Sequence, residues 1–315
     1  MTWFQRLLLL TIFLTFVLVV IGGTVRATGS GLGCPDWPMC HGELIPPAEK
    51  HTLIEFSHRT AASIVGVVFL GVTFFAFRTE RRNPLVFWLA FSAGLLLVAQ
   101  IILGGITVKK ELPPEIVAAH LGTAMLFMAV LIVTALVSLA GKRDRHADTT
   151  ALESNYTRLA MLAALASFAT LIVGSYISET PAALACDGWP LCNGSVAPRG
   201  DADVGWHYMH RVVAGVLGLL ILAMTWAAFD EKRGRTAIVL AVGAGVLYIT
   251  QAIVGAANLW TELADGVVVA HLSLAALLWC LLVATSALSF YEPAPVARRA
   301  RREMTEEGKV REWAR

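Results

Sequence analysis

The chain has 315 residues, of which 57% are hydrophobic and only 15% charged, with a formal net charge of +2. A soluble domain carries about 25% charged residues, so the composition excludes an ordinary soluble enzyme. So small a net charge gives no argument for nucleic acid.

Long apolar runs set the class. About 20 such residues cross a bilayer as a helix, and backbone in lipid must satisfy its own hydrogen bonds. In chain order the runs fall at about 7–24, 59–77, 85–107, 116–140, 157–178, 210–229, 236–257 and 267–290. They predict an all-α integral membrane protein with eight transmembrane helices. The first run follows Arg6 and has some features of a secretory signal. Its apolar stretch from Leu7 to Gly23 is longer than a signal core, and no small-x-small cleavage site follows, so it counts as a span.

Two loops carry nearly the same nonapeptide, "CPDWPMCHG" at 34–42 and "CDGWPLCNG" at 186–194. Lys and Arg place them relative to the membrane. One set of connections holds Arg78, Arg81 and Arg82, then Lys142, Arg143 and Arg145, then Lys232, Arg233 and Arg235. The tail adds Arg298, Arg299, Arg301 and Arg302, whereas the alternate loops are poorer in basic residues. Both termini are therefore expected in the cytoplasm and the Cys loops outside a cell membrane. An oxidising exterior permits disulfides, so Cys34 is expected to pair with Cys40 and Cys186 with Cys192. The spacing and the side of the membrane fit neither a metal site nor a CxxC redox pair. Cys280, alone in the last run, reads as a small core residue.

The likeness extends well beyond the loops. Gly22, Trp37, Pro38, Gly42, His58, Arg59 and Gly66 recur 152 residues later as Gly174, Trp189, Pro190, Gly194, His210, Arg211 and Gly218. Gln100, Gly104 and His120 recur 151 later as Gln251, Gly255 and His271. Such a pattern is a duplication. Each copy has an even number of spans, so both enter the membrane the same way, as parallel repeats about the membrane normal. The expected units are 1–141, a cytoplasmic linker at 142–155, a second unit at 156–290, and a cytoplasmic polar tail at 291–315.

Each unit brings two histidines toward the outer ends of its second and fourth spans, His58 with His120 and His210 with His271. Ionisable groups inside spans are costly and normally serve function. Two imidazoles facing each other across a four-helix bundle suit axial ligation of a haem iron, whereas zinc requires three or four ligands. Arg59 and Arg211 follow a histidine in each unit. They read either as partners for haem propionates or as interfacial cations that snorkel. His41, His51 and His146 lack repeat partners and read as solvated loop residues. Glu55, three residues before His58, corresponds to His207, three before His210. Positions i and i+3 share a helix face, so the units differ chemically beside the expected iron ligand. Glu55 also suits a helix N-terminus on dipole grounds alone.

The segments "GLGCPDWPMC", "EFSHR", "AAHLG", "CDGWPLCNG", "MHR" and "VVAHLS" resemble the haem A synthase family, from about Gln5 to Ser289. The resemblance implies oxidation of a porphyrin methyl of haem O to a formyl group through a hydroxymethyl stage. It implies a resident haem b on His210 and His271, and substrate haem O flanked by His58 and His120, with Glu55 as the catalytic carboxylate. It implies a haem O synthase (protohaem farnesyltransferase) as upstream partner and a separate electron donor. Two rival readings are a di-haem quinol oxidoreductase and a haem carrier without chemistry. The first needs haems at different depths, which parallel repeats do not supply. The second leaves the contrast between Glu55 and His207 without a purpose.

Overall fold

The computed structural model describes residues 1–140 and 151–291; the expected linker, with His146, and the tail fall mainly outside them. Among the described residues there are eight helices long and apolar enough to cross a membrane. They are α1 (Trp3–Ala27), α2 (Lys50–Phe75), α3 (Pro84–Lys109), α4 (Pro114–Leu139), α5 (Asn155–Ser178), α6 (Ala202–Asp230), α7 (Arg235–Trp260) and α8 (Asp265–Ser289). The chain is a multi-pass membrane protein. Phe4 and Leu8 of α1 are buried in the core, so the first run is an integral packing element.

Local sequence sets the ends. A capping box on Thr2 and Gln5 starts α1, where the threonine side chain and the N3 glutamine each satisfy a backbone N–H. Pro84 and Pro114 stand in the first turns of α3 and α4, where the missing N–H costs nothing. Two starts differ from expectation. Hydropathy begins the second and sixth spans at 59 and 210, yet the helices begin at Lys50 and Ala202. Polar residues such as Thr52 and Glu55 end an apolar run without ending a helix. The two added turns put Glu55, His58, His207 and His210 inside regular helix. With its terminal π-turn, α2 runs 31 residues, about 46 Å against ~30 Å of hydrocarbon.

Within the first half α1 packs on α2, α2 on α3, α3 on α4 and α4 on α1. The second half repeats this ring with α5, α6, α7 and α8. The halves meet where α1 touches α8 and where α4 touches α5 and α8. Lipid offers no hydrophobic gain over a packed helix, so close backbone approach and hydrogen bonds join spans. Both occur at this seam. A Cβ at Gly122 would lie 2.5 Å from Ile172 Cδ1, and one at Gly23 would lie 2.8 Å from Leu272 Cδ2. Trp279 Nε1 donates to Met125 O at 3.1 Å across the same seam. At the end of the second half remote from its Cys loop, Glu231 accepts from Ser154 Oγ, Tyr156 N–H and Arg233 Nε. Burial opposes its ionisation, but these hydrogen bonds outweigh burial and leave its pKa lowered.

Candidate functional site

Each of the four intramembrane histidines rests against a helix glycine. A Cβ at Gly22 would lie 3.2 Å from His58 Nε2, and one at Gly104 3.2 Å from His120 Cε1. The counterparts are Gly174 at 2.9 Å from His210 Cε1 and Gly255 at 2.8 Å from His271 Cε1. A side chain at any of these positions would push on the ring, so the glycines let the imidazoles lie close to bare backbone. The sequence shows these glycines only as repeated letters; their matched offsets from the histidines are the signal that marks them.

Glutamines hold the later histidine of each pair. Gln100 Nε2 lies 3.2 Å from His120 Nε2, and Gln251 Nε2 lies 3.4 Å from His271 Nε2. Nδ1 of His120, His210 and His271 is buried without a hydrogen-bond partner. A glutamine amide thus fixes one ring nitrogen of His120 and of His271, and the other is left without a partner. His210 and His271 open on a cavity of about 430 Å³ that Trp189, Arg211, Tyr248 and Gln251 also line. Cofactor pockets run from about 300 to 1,000 Å³. Orphaned imidazole nitrogens around a largely apolar cavity fit a haem held by His210 and His271. Among the described residues, no group of three or more His, Cys, Asp or Glu is placed to hold a bare metal ion.

Beside the first pair, Glu55 is only 5% exposed and accepts from Arg59 Nε at 3.0 Å. Beside the second, His207 is 7% exposed, with Nδ1 2.8 Å from Ala182 O and Nε2 accepting from Arg211 Nη2 at 3.2 Å. A carbonyl on one nitrogen and a guanidinium on the other select the neutral Nδ1–H tautomer.

The arginines have a role that sequence reasoning missed. Arg59 Nη1 donates to Asp36 O at 2.7 Å and Met39 O at 2.8 Å, and Nη2 donates to Cys34 O at 2.7 Å. Arg211 makes the same pattern more loosely, to Leu191 O at 2.9 Å and to Pro190 O and Cys186 O at 3.4 Å. Each guanidinium therefore anchors a Cys loop, with few donors left over for a propionate. The loops are closed by the Cys34–Cys40 and Cys186–Cys192 disulfides. Their Trp-Pro tips cover the helix ends: Trp189 and Pro190 line the large cavity, and the Trp37 ring lies 3.2 Å from a Cβ placed at Gly105. Arg26, at the end of α1, pairs with Glu179 after α5 and also borders that cavity.

Three residues read as bystanders are placed more specifically. His41 and His51 are exposed, but His41 Nε2 lies 3.0 Å from Gly33 O, and His51, in the first turn of α2, lies 3.0 Å from Ser30 Oγ. His41 ties loop backbone and His51 a loop hydroxyl, so neither stands free in solvent. Cys280 is a free, half-buried thiol packed against the core.

Fold and site together define a class, the polytopic α-helical membrane proteins with paired intramembrane histidines. Comparison narrows it. Residues 5–283 and 201–315 match the COX15-CtaA family, described as cytochrome oxidase assembly protein. "Heme A synthase" of Alkalihalophilus pseudofirmus is 31% identical over 280 residues, covering 87% of this chain and 92% of the relative. That of Shouchella clausii is 31% identical over 261 residues, covering 82% and 87%. That of an Exiguobacterium strain is 32% identical over 244 residues, covering 73% and 77%. The chain belongs to this family of haem A synthases.

Proposed function

We propose that the protein oxidises a methyl group of haem O to a formyl group, through a hydroxymethyl stage, and so makes haem A. In this reading residues 1–141 hold substrate haem O between His58 and His120. Residues 156–290 hold a haem b between His210 and His271, joined to the first unit by a cytoplasmic linker at 142–155. The observation that carries the reading is the one chemical difference beside two alike histidine pairs, Glu55 in one and His207 in the other.

Bound haem b supplies reversible electron transfer close to the substrate. The remaining work falls to side chains of this chain. His58 and His120 orient the substrate, their rings pressed to Gly22 and Gly104. Gln100 fixes the His120 ring. Arg59 fixes the direction of the Glu55 carboxylate, which lies about one helical turn from His58 and so reaches over the macrocycle edge. There it accepts a proton or holds a water, and it stabilises positive charge developing at the oxidised carbon. The Trp37 loop shields that edge from bulk water. His207 in its locked neutral tautomer has no comparable proton capacity, which suits a unit that only holds a cofactor.

Basic residues support a cell-membrane topology with both termini in the cytoplasm and the disulfide loops outside. Haem O then reaches the protein from a protohaem farnesyltransferase in the same membrane, and a separate electron donor completes the chemistry. The test is co-expression with a haem O synthase, followed by mass spectrometry of extracted haems. The expected result is haem A that depends on this chain. Haem O alone, with the protein present at normal levels, overturns the reading.

A further inference from the structure

The two halves differ at a second matched place, deeper in the bundles. Glycine recurs at Gly66 and Gly218, each eight residues after the first histidine of its pair. Glycine inside a helix is destabilising relative to alanine, so each position calls for a use. In α6 the use is visible. A Cβ at Gly218 would lie 2.4 Å from the hydroxyl and 2.5 Å from Cζ of Tyr248. The ring lies across the bare backbone, and its hydroxyl donates to Ala214 O at 2.9 Å. Tyr248 thus spans the seam between α6 and α7, where it also lines the cavity with His210 and His271.

At Gly66 no such ring is present; the nearest ring on this side, Phe69, lies one turn on, 3.7 Å from a Cβ placed at Gly94. A Cβ at Gly66 would meet no described atom within 4 Å. The residue 151 positions before Tyr248 is Leu97, which packs half-buried against the core of its own half. Glu55, Arg59, Ala62 and Gly66 follow one face of α2 at i, i+4, i+7 and i+11. Thr73 continues that face about 10 Å further along the axis. It opens a cleft of about 200 Å³ walled by Phe77, Phe87, Phe91, Leu95 and Val98. The Thr73 hydroxyl is turned back to Phe69 O at 3.1 Å, so the wall is effectively apolar.

We propose that the α2–α3 seam receives the prenyl tail of haem O, and that Tyr248 excludes that tail from the second half. The inference rests on His58 and His120 as the substrate site. It adds how the two units tell apart two haems whose macrocycles are nearly alike. Lipid chains are as apolar as the tail, so contact with an apolar cleft discriminates little by itself. Discrimination comes from obstruction: a phenol across the seam at Gly218, and open backbone at Gly66. One face of α2 runs from Glu55, a turn before His58, through Gly66 to Thr73 at a cleft without a charged wall, which is the direction a tail attached to the macrocycle edge requires.

The test uses the full chain with its second-half haem in place, titrated with haem O and, separately, with haem b, which lacks the tail. Leu97→Tyr is expected to lower the ratio of haem O to haem b bound at the first half by about tenfold or more, with the second-half spectrum unchanged. Tyr248→Leu is expected to let haem O appear on the second half, read by mass spectrometry of extracted haem. Undiminished haem O binding by Leu97→Tyr, or equal loss of both haems, overturns the proposal and leaves the site assignment standing. If Leu97→Tyr loses the second-half spectrum and so has not folded, Tyr248→Leu decides, and continued exclusion of haem O from that half overturns the proposal. Haem O binding by the unaltered chain that survives His58→Ala and His120→Ala removes the site assignment, and the proposal with it.

Discussion

Beside the first histidine pair stands a buried carboxylate with a guanidinium on it; beside the second stands a buried imidazole with a guanidinium on it. Around that place the halves are built alike. Each has glycines beneath both rings, a glutamine on the later histidine, a disulfide loop, and an arginine holding the loop carbonyls. The comparison separates two kinds of requirement. Orienting a pair of imidazoles in a helical bundle takes the shared parts, and both halves keep them. In the proposed reading the first half adds a carboxylate for proton handling, where the second half has an imidazole whose two nitrogens are already engaged by Ala182 O and Arg211.

The comparison breaks most visibly at the proposed iron ligands. His210→Ala or His271→Ala is expected to abolish the low-spin haem spectrum, because either change leaves an axial position without its imidazole. His58→Ala or His120→Ala is expected to keep that spectrum and stop haem A formation. Absorption spectra and extracted haems of the four variants check this. An unaltered bis-imidazole spectrum in His210→Ala would reverse the roles given to the halves.

Glu55→Gln tests the difference itself. The amide keeps the shape and an acceptor for Arg59 but cannot take a proton. A loss on the order of 10²-fold in haem A formation is expected, with normal insertion and an intact second-half spectrum. If Glu55 only favoured the helix terminus, the cost would stay below ~1 kcal/mol of helix stability and turnover would hold. The readout is the haem profile at wild-type protein level, where haem O or its hydroxymethyl form should build up. A normal haem A content falsifies the catalytic role.

The sequence made most of this scaffold legible, for reasons that can be named. Spans are long apolar runs, and the repeat lies in single letters at constant offset, so eight helices and four histidines need no coordinates. The start of α2 was not legible, because Thr52 and Glu55 lower hydropathy while remaining good enough helix residues over a short stretch. Nor was the work of Arg59 and Arg211, since a bond to a backbone carbonyl leaves no mark in the partner's side chain. The contrast between Tyr248 and Leu97 was likewise out of reach. It gains meaning only once the Tyr248 ring is seen across Gly218, and no spacing rule connects α7 to α6 at that point.

Loop anchoring should differ in degree between the halves. Arg59 makes three carbonyl bonds at 2.7–2.8 Å, whereas the bonds of Arg211 run from 2.9 to 3.4 Å. Lysine cannot reproduce the planar fork. Arg59→Lys is expected to destabilise closure of the 34–42 loop by roughly 1.5–3 kcal/mol, the range for hydrogen bonds to charged groups. Arg211→Lys should cost its own loop less. Amide hydrogen exchange across both loops measures the difference, and equal effects would show that the tighter geometry in the first half has no energetic weight.

The smallest expected effect concerns acid, and it too falls on one half. In the first loop the Asp36 carboxylate accepts from Gly42 N–H at 2.7 Å and His41 N–H at 2.6 Å. In the second loop the corresponding closure runs from Asp187 N–H to the amide oxygen of Asn193 at 2.7 Å, and an amide does not titrate. The Gly42 N–H, with a smaller share from His41, holds the pKa of Asp36 below its ordinary 3.8. A carboxyl depressed in the folded state contributes its stabilisation above the unfolded value and loses it as pH falls through the folded value. Protection of the His41 and Gly42 amides should therefore hold at pH 5, persist to below 3.8, and fade only under stronger acid. Protection of the Asp187 amide should change no more than its intrinsic chemistry requires. Asp36→Asn, which supplies one amide oxygen where two carboxylate oxygens now accept, should loosen the first loop at neutral pH and remove its acid dependence. The Cys34–Cys40 disulfide keeps the chain closed throughout, so the change belongs to two amide protons rather than to the loop as a whole. Hydrogen exchange compared at the two loops across this pH range reads it, and fading of the His41 and Gly42 protection well above pH 3.8 would contradict the carboxylate lock.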